Sequence, residues 1–377
     1  MSAVKGWCPS LFAPMLSGDG HLLRIRPFSA RISAAQARRI AGLAPAAIEL
    51  TNRGNIQLRG LAGHQLEPLA QALLAANLAW PDPAEEARRN LCTPPLPFDD
   101  RGWIAALEAI LRGTAGLAGK FGITLDRPDQ PGPESDIRVT LAGDHALCRL
   151  QTGDAVAPAS PAALARLVAG FAAGGHRRMR DAVAETGAAA LLAAAGMPAQ
   201  LDPAPPGPPR PLLGPLEDGF GLAPRFGVLA PAGLAHLADL AERLGDGWIR
   251  IAATRSLLIA GVADPEALAA ALPAPWITSE ENPWRGIVAC PGSAGCASGQ
   301  VATRADAETL LAGGYRPPPG LLHLSGCAKG CAHPAPAAAV LVGQAGRYAL
   351  VRGGRAGDPP LRQGLTLAEA AAELEQR

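Results

Sequence analysis

Four of the seven cysteines in this 377-residue chain fall into two close pairs. Cys290 and Cys296 enclose five residues, Cys327 and Cys331 enclose three, and thirty residues separate the pairs. Only Pro, Gly, Ser and Ala stand inside the first pair, so backbone N–H groups can crowd around sulfur with no side chain in the way. Four convergent thiolates suit a structural zinc ion or a cubane iron–sulfur cluster. The three-residue interval fits zinc, whereas the five-residue interval is wider than zinc sites use. Spacing therefore favours iron–sulfur and leaves zinc open. Four incidental core cysteines would not be spaced this way. Cys8, Cys92 and Cys148 lack partners at ligand spacing and read as core or incidental thiols.

The second chemical resource is arginine. Lysine occurs only at 5, 120 and 329, so nearly every cation is a guanidinium. Genome composition accounts for such a bias, but it also equips a chain to hold a polycarboxylate through planar forks. Arg24, Arg26, Arg53, Arg59, Arg250 and Arg255 all fall on strand-like stretches or their turns. The plainer reading of such alternation is a solvent-facing sheet surface. Lys329, between the paired cysteines, would either raise the potential of a cluster or simply be solvated.

These residues need a scaffold, and the pattern supplies one twice. HLLRIRP alternates like a strand, with Leu23 and Ile25 on one face. SAAQARRIAGLA reads as a helix capped by Ser33, and AIELTNR and NIQLRGL as two strands about a turn at Arg53. About 200 residues later the order returns: a lead-in over 217–226, the helix PAGLAHLADLAERLG, then GWIRIAAT and RSLLIAGV about Thr254-Arg255. Arg53 and Arg255 are taken as matching turn residues, and a cleft is expected between the halves. The expected units are a half-domain over 1–65, an α/β domain over 82–200, a Pro-rich linker over 201–216, a second half-domain over 217–268 and a cysteine-bearing α/β domain over 280–377.

Length suggests two to three domains. Apolar residues make up 48% and aromatic residues only 4%, so the cores must be built on Leu, Ile, Val and Ala. A net charge of +1 gives no reason to invoke nucleic acid or a membrane surface. The Ala-rich run 187–200 is too short to span a bilayer. No signal peptide is apparent, and unmatched cysteines fit a reducing cytoplasm. The Gly-rich runs form no G-x-G-x-x-G between a strand and a helix, so no flavin or nicotinamide fold is visible.

With the duplicated halves, C-x5-C…C-x3-C and the closing GRYALVRGG, the chain resembles the nitrite and sulfite reductase superfamily. Within it, GDGHLLRIRP, LTNRGNIQLRGL and above all SGCAKGCAHPAPA are similar to the precorrin-3B synthase family. The resemblance implies an α+β, duplicated fold of two ferredoxin-like half-domains and two larger α/β domains with pseudo-two-fold symmetry. It implies a [4Fe–4S] cluster on Cys290, Cys296, Cys327 and Cys331. It also implies a tetrapyrrole substrate, precorrin-3A, which is hydroxylated with O2 and NAD(P)H-derived electrons and then closed to a lactone, as a step of cobalamin biosynthesis. The electrons would come from a separate reductase.

Residue by residue, Arg53 and Gln57 match the superfamily's TNR-x-x-x-Q segment, whose Arg faces the macrocycle. Arg59 stands where sulfite reductases usually carry His. Arg89 matches an Arg that reaches the active-site anion, and Lys120 the first Lys of K-F-K. Catalytic roles are thus expected for Arg53, Arg89 and Lys120, and substrate contacts for Arg24, Arg53, Gln57, Arg59 and Arg255. Gly122 replaces the second Lys of K-F-K, which weakens a cationic cage and is read as leaving more room.

O2 chemistry calls for a redox metal, and a fully cysteine-ligated cubane is an electron relay. Hence either a mononuclear non-haem iron near the macrocycle or O2 activation by the cluster and substrate together is a further expectation. Candidate ligands for such an iron are His333, otherwise a donor to cluster sulfur, the Asp19/His21 pair and the Asp144/His145 pair. The alternatives are a sirohaem-dependent nitrite or sulfite reductase, and a non-enzymatic tetrapyrrole carrier with zinc on the four cysteines.

Overall fold

The computed structural model describes residues 9–201, 209–217, 219–273, 275–317 and 320–376. Cys8 and residues 202–208 of the Pro-rich stretch lie outside the described residues.

The two repeats build a five-strand sheet and a six-strand sheet, the sixth strand of the latter being Trp276–Ile277 beside Gly219–Pro224. The first runs Met15–Ser17, Gly20–Ile25, Ile56–Leu61, Ile48–Leu50 and Val228–Leu229 in spatial order. The second runs Gly214–Leu216, Gly219–Pro224, Leu257–Ala260, Trp248–Ile251 and Arg31–Ser33. In each sheet the last strand comes from the other repeat. Val228 and Leu229 pair with Glu49 and Ile48, while Arg31 to Ser33 pair with Arg250 to Trp248. The exchange follows a similar kink in each copy. Ser29 and Phe226 take left-handed backbone (φ 51° and 56°) in the short turns that send the chain across.

One helix covers each sheet, Ala34–Leu43 in the first repeat and Pro231–Leu244 in the second, and they pack on each other. Ser33 caps its helix as its type suggests: its hydroxyl accepts from Gln36 N at 3.2 Å, and Gln36 Oε1 accepts from Ser33 N at 3.0 Å. Strand alternation puts Leu23, Ile25, Ile56 and Leu58 into the same apolar cluster as Leu222, Ile249, Leu257 and Leu237. Helix Leu66–Ala75 adds Leu69 and Leu73 to it. The ferredoxin-like pair thus has one core, not two.

The two larger sheets repeat as well. Leu91–Cys92, Ile123–Asp126 and Ile137–Ala142 run parallel, followed by antiparallel His145–Leu150 and Ala155–Pro158. Ile287–Ala289, Leu322–Ser325 and Ala337–Gln344 repeat that arrangement, followed by Arg347–Gly354 and Arg362–Leu365. The paired cysteines sit on the loops that leave the first two parallel strands of the second copy. The corresponding loops of the first copy begin TPPLP and RPDQP and carry no cysteine.

One expected correspondence shifts by a residue. In the first repeat, Gly54 N bonds Thr51 O and Thr51 N bonds Asn55 O. In the second, Arg255 N bonds Ala252 O and Ala252 N bonds Ser256 O. Arg255 therefore matches Gly54, not Arg53, and shares its left-handed backbone (φ 59° against 66°). Thr254 is the counterpart of Arg53. Among the described residues no helix is long and apolar enough to cross a membrane.

Candidate active site: an arginine cavity beside the paired cysteines

The loop after Ile287–Ala289 and the loop after Leu322–Ser325 meet through glycine. A Cβ on Gly326 would lie 3.1 Å from the Cα atoms of both Gly292 and Gly299, and one on Gly299 would overlap Gly292 backbone at 2.2 Å. This contact brings Gly326 N within 3.1 Å of Cys290 Sγ, as a donor. Thr303 Oγ1 donates to Cys290 O at 2.5 Å and fixes the start of the loop. Burial raises the Cys331 thiol first of all, and the nearby Cys327, Cys290 and Cys296 add to the rise. Among the described residues no three His, Cys, Asp or Glu side chains draw close enough to hold a single metal ion. The four-thiol donor set and the glycine cradle fit a cubane cluster, which Cys290, Cys296, Cys327 and Cys331 would hold.

A cavity of about 270 Å³ opens between the first ferredoxin-like sheet and these loops. Cys290 and Cys331 border it on one side, with Arg24, Gln57, Arg59, Arg255 and Arg304 around the rest and Leu50 and Phe226 as apolar wall. Strand pairing sets much of this order. Arg24 stands directly across from Gln57 and donates twice to its Oε1, at 3.1 and 2.6 Å. Arg255 reaches in from its left-handed turn and donates to Ala332 O at 2.8 Å, next to Cys331. Burial lowers its guanidinium pKa, against the pull of Glu49.

Glu49 is the hub. It is buried on the middle of a strand, and Arg304 Nη2 approaches its Oε1 at 2.5 Å. Arg59 Nη1 lies 3.5 Å from its Oε2, and Gln57 Nε2 donates to the same oxygen at 3.4 Å. Arg59 also forks onto Asp19 at 2.9 Å and donates to Gly295 O at 2.6 Å, inside the first cysteine loop. Burial opposes its charge, but Glu49 and Asp19 outweigh that and raise its pKa.

The three expected catalytic cations lie elsewhere. Arg53 turns away from the cavity and donates to Glu134 O at 3.2 Å and Ser135 Oγ at 3.0 Å. Arg89 is buried, paired with Glu86 at 2.7 Å and laid over the Phe28 ring at 4.0 Å. Arg26 shares that same Glu86. Lys120 is exposed on the α/β domain. Gly122 leaves no empty space, because a Cβ there would meet Arg53 Nη2 at 2.7 Å.

Among the candidate iron ligands, Asp19 is committed to Arg59, His21 Nδ1 lies 3.3 Å from Leu61 O, and Asp144 pairs with Arg101. His333 stands edge-on to His323 at 5.8 Å, with Nε2 near Pro336 O. Lys329 donates to Ser298 Oγ at 3.3 Å, and Arg250 pairs with Asp246 at 2.5 Å and borders a separate cavity.

The sequence reading passed over Arg304, Glu49 and His323. Arg304 has no repeat partner to announce it. Glu49 interrupts an apolar strand, which was the available signal. His323 is fully buried with neither ring nitrogen bonded among the described residues.

Three comparisons place this architecture. Residues 13–76 match the model of the nitrite/sulfite reductase ferredoxin-like half domain. The solved Mycobacterium tuberculosis NirA protein superposes with a TM-score of 0.68 at 20% identity, over 93% of this chain and 79% of its own. The fold is that of the nitrite and sulfite reductases. A curated Sinorhizobium sp. protein named precorrin-3B synthase is 32% identical over 95% of this chain and 85% of its own length. The chain belongs to the precorrin-3B synthase family.

Proposed function

We propose that the chain hydroxylates precorrin-3A at the ring-junction carbon between rings A and D, using O2 and NAD(P)H-derived electrons, with a [4Fe–4S] cluster on Cys290, Cys296, Cys327 and Cys331. One oxygen atom enters the substrate. The other leaves as water with two electrons and two protons, and an acetate arm then closes to a lactone. The observation that carries this reading is a single cavity bordered by two of the four cysteines and by four arginines.

Bound there, a cubane supplies electrons one at a time. Arg24 and Arg255, both lining the cavity, would grip acetate and propionate arms as planar forks. Leu50 and Phe226 would lie against the apolar macrocycle and exclude water. Gln57 orients Arg24, and Arg59 ties the substrate wall to the first cysteine loop. Arg53, Arg89 and Lys120 have no contact with substrate in this reading. A second, mononuclear iron lacks a donor trio among the described residues. Electrons would arrive through a separate reductase.

The test is anaerobic reconstitution of the cluster, then precorrin-3A with O2 and a reductant, with product mass as readout. A gain of one oxygen atom is expected. Unchanged substrate from protein with a full iron complement would sink the proposal. Sirohaem absorption with viologen-driven sulfite reduction would establish the reductase reading instead.

A further inference from the structure

The cavity beside the cysteines has a neighbour. A second chamber of about 170 Å³ lies beyond it, and the two share Pro291, Arg59 and Arg304 as lining. The two guanidinium groups, held by Glu49, are the wall between them. Neither chamber reaches the lower end of the range of roughly 300–1,000 Å³ usual for drug-sized ligands. A tetrapyrrole with several carboxylate arms is larger than such ligands. Merged, the chambers would enter that range.

The wall is built from parts that can exchange partners. Glu49 sits on a strand of the first ferredoxin-like sheet, while Arg304 sits at the start of helix Thr303–Ala312 in the cysteine-bearing domain. Their 2.5 Å contact therefore spans two units. Arg304 is only partly satisfied there: its Nε is buried and has no hydrogen-bond partner among the described residues. Arg59 differs, being fixed by Asp19 and Gly295 O as well as by Glu49. Arg304 is the element free to move. The Arg304 side chain is partly exposed, and Glu49 keeps Arg59 and Gln57 as partners, so an incoming carboxylate can take its place on Arg304 without leaving either charge unpaired.

We infer that the Arg304–Glu49 pair is a partition that a polycarboxylate substrate opens, with Arg304 passing from Glu49 to a substrate carboxylate and the two chambers becoming one. Glu49 is then a positioning residue, which holds the cation for the substrate while competing with it. The inference rests on the tetrapyrrole reading above.

Free-base uroporphyrin, whose rim carries only acetate and propionate arms, is a suitable probe. It would be titrated into the reconstituted protein and followed by fluorescence quenching. Glu49→Gln removes the competitor and should tighten binding about tenfold. Arg304→Gln should weaken it about tenfold, and should weaken it more in the Glu49→Gln background than in the wild type. Glu49→Asp keeps the charge but shortens the reach, and should tighten binding by a smaller factor; it serves if Glu49→Gln fails to fold. Weaker binding in both Glu49 variants, or no effect of Arg304→Gln, would overturn the partition while leaving the tetrapyrrole reading intact. A wild-type protein that binds no uroporphyrin would remove both.

Discussion

Gly122 and Arg53 occupy each other's space: a Cβ on Gly122 would stand 2.7 Å from Arg53 Nη2. The position where the superfamily resemblance places a second lysine is thus filled by a guanidinium arriving from the first half-domain. Asn90 closes the other side, its carbonyl oxygen 3.2 Å from the same point. Gly122→Ala should force Arg53 off Ser135 and Glu134, at a cost of about 1 kcal/mol because the displaced atom is the end of a flexible side chain. Urea unfolding reads this directly. A second substitution, Arg53→Ala, should remove most of the penalty, because the clash partner is gone.

The cluster assignment gives a graded expectation. Cys290→Ser, Cys296→Ser, Cys327→Ser and Cys331→Ser should each deplete iron and visible absorbance in anaerobically purified protein. Cys92→Ser and Cys148→Ser should leave both in place, since neither thiol lies near the paired cysteines. Burial pushes the Cys148 thiol up to about 12, so it should also resist alkylation at neutral pH in folded protein.

Glu86 carries two buried guanidinium groups, Arg26 and Arg89, besides accepting from Trp80 N at 3.1 Å. Replacing it with Gln leaves two charges inside the fold with one neutral partner. A loss of about 3–5 kcal/mol is expected in chemical denaturation. Arg89→Met should cost less, because a single cation then remains to be paired. Equal and small effects would show that solvent reaches this site.

His323 imposes a pH dependence whose sign can be worked out. Burial, and behind it His333 and Arg255, pulls its pKa from 6.5 to about 4. Between those values the unfolded chain binds a proton that the folded chain refuses, so stability is full above about pH 6.5 and falls as pH drops toward 4. The loss is on the order of 3 kcal/mol. Denaturation midpoints at pH 7 and pH 5 should diverge in the wild type and converge in His323→Leu.

What could be read from the chain beforehand followed from periodicity and spacing. The Ser33 cap, the paired strands about both turns and the cysteine pairs are local patterns, and each survives folding because it depends on near neighbours. The exchanged edge strands were not legible. Arg31–Ser33 and Val228–Leu229 are too short to signal a strand, and they gain order only from a partner roughly 200 residues away. The same limit explains the arginines. Sequence could place Arg24 and Gln57 on facing strands, and their bond follows. It could not tell that Arg255 takes the register of Gly54, which turns one guanidinium toward the cysteines while Arg53 leaves for the α/β domain. Arg89 shows the same gap, because a motif position does not disclose that Glu86 has captured the side chain.

The reciprocal strands have a mechanical result. Each ferredoxin-like sheet is completed by the opposite repeat, and one apolar cluster runs through both. A hinge between the repeats would have to break both strand pairings and divide that core, so this part of the molecule behaves as a rigid spine. Any breathing that admits a bulky ligand must come from the flanking α/β sheets moving against it. The cysteine-bearing sheet is joined to the spine near the cavity through the polar contacts of Arg304 on Glu49, Arg59 on Gly295 and Arg255 on Ala332, and through Phe226, which packs against its apolar core. The polar contacts can be remade one by one, whereas the interlocked core cannot, so a ligand that parts Arg304 from Glu49 would shift the cysteine-bearing sheet against a fixed spine.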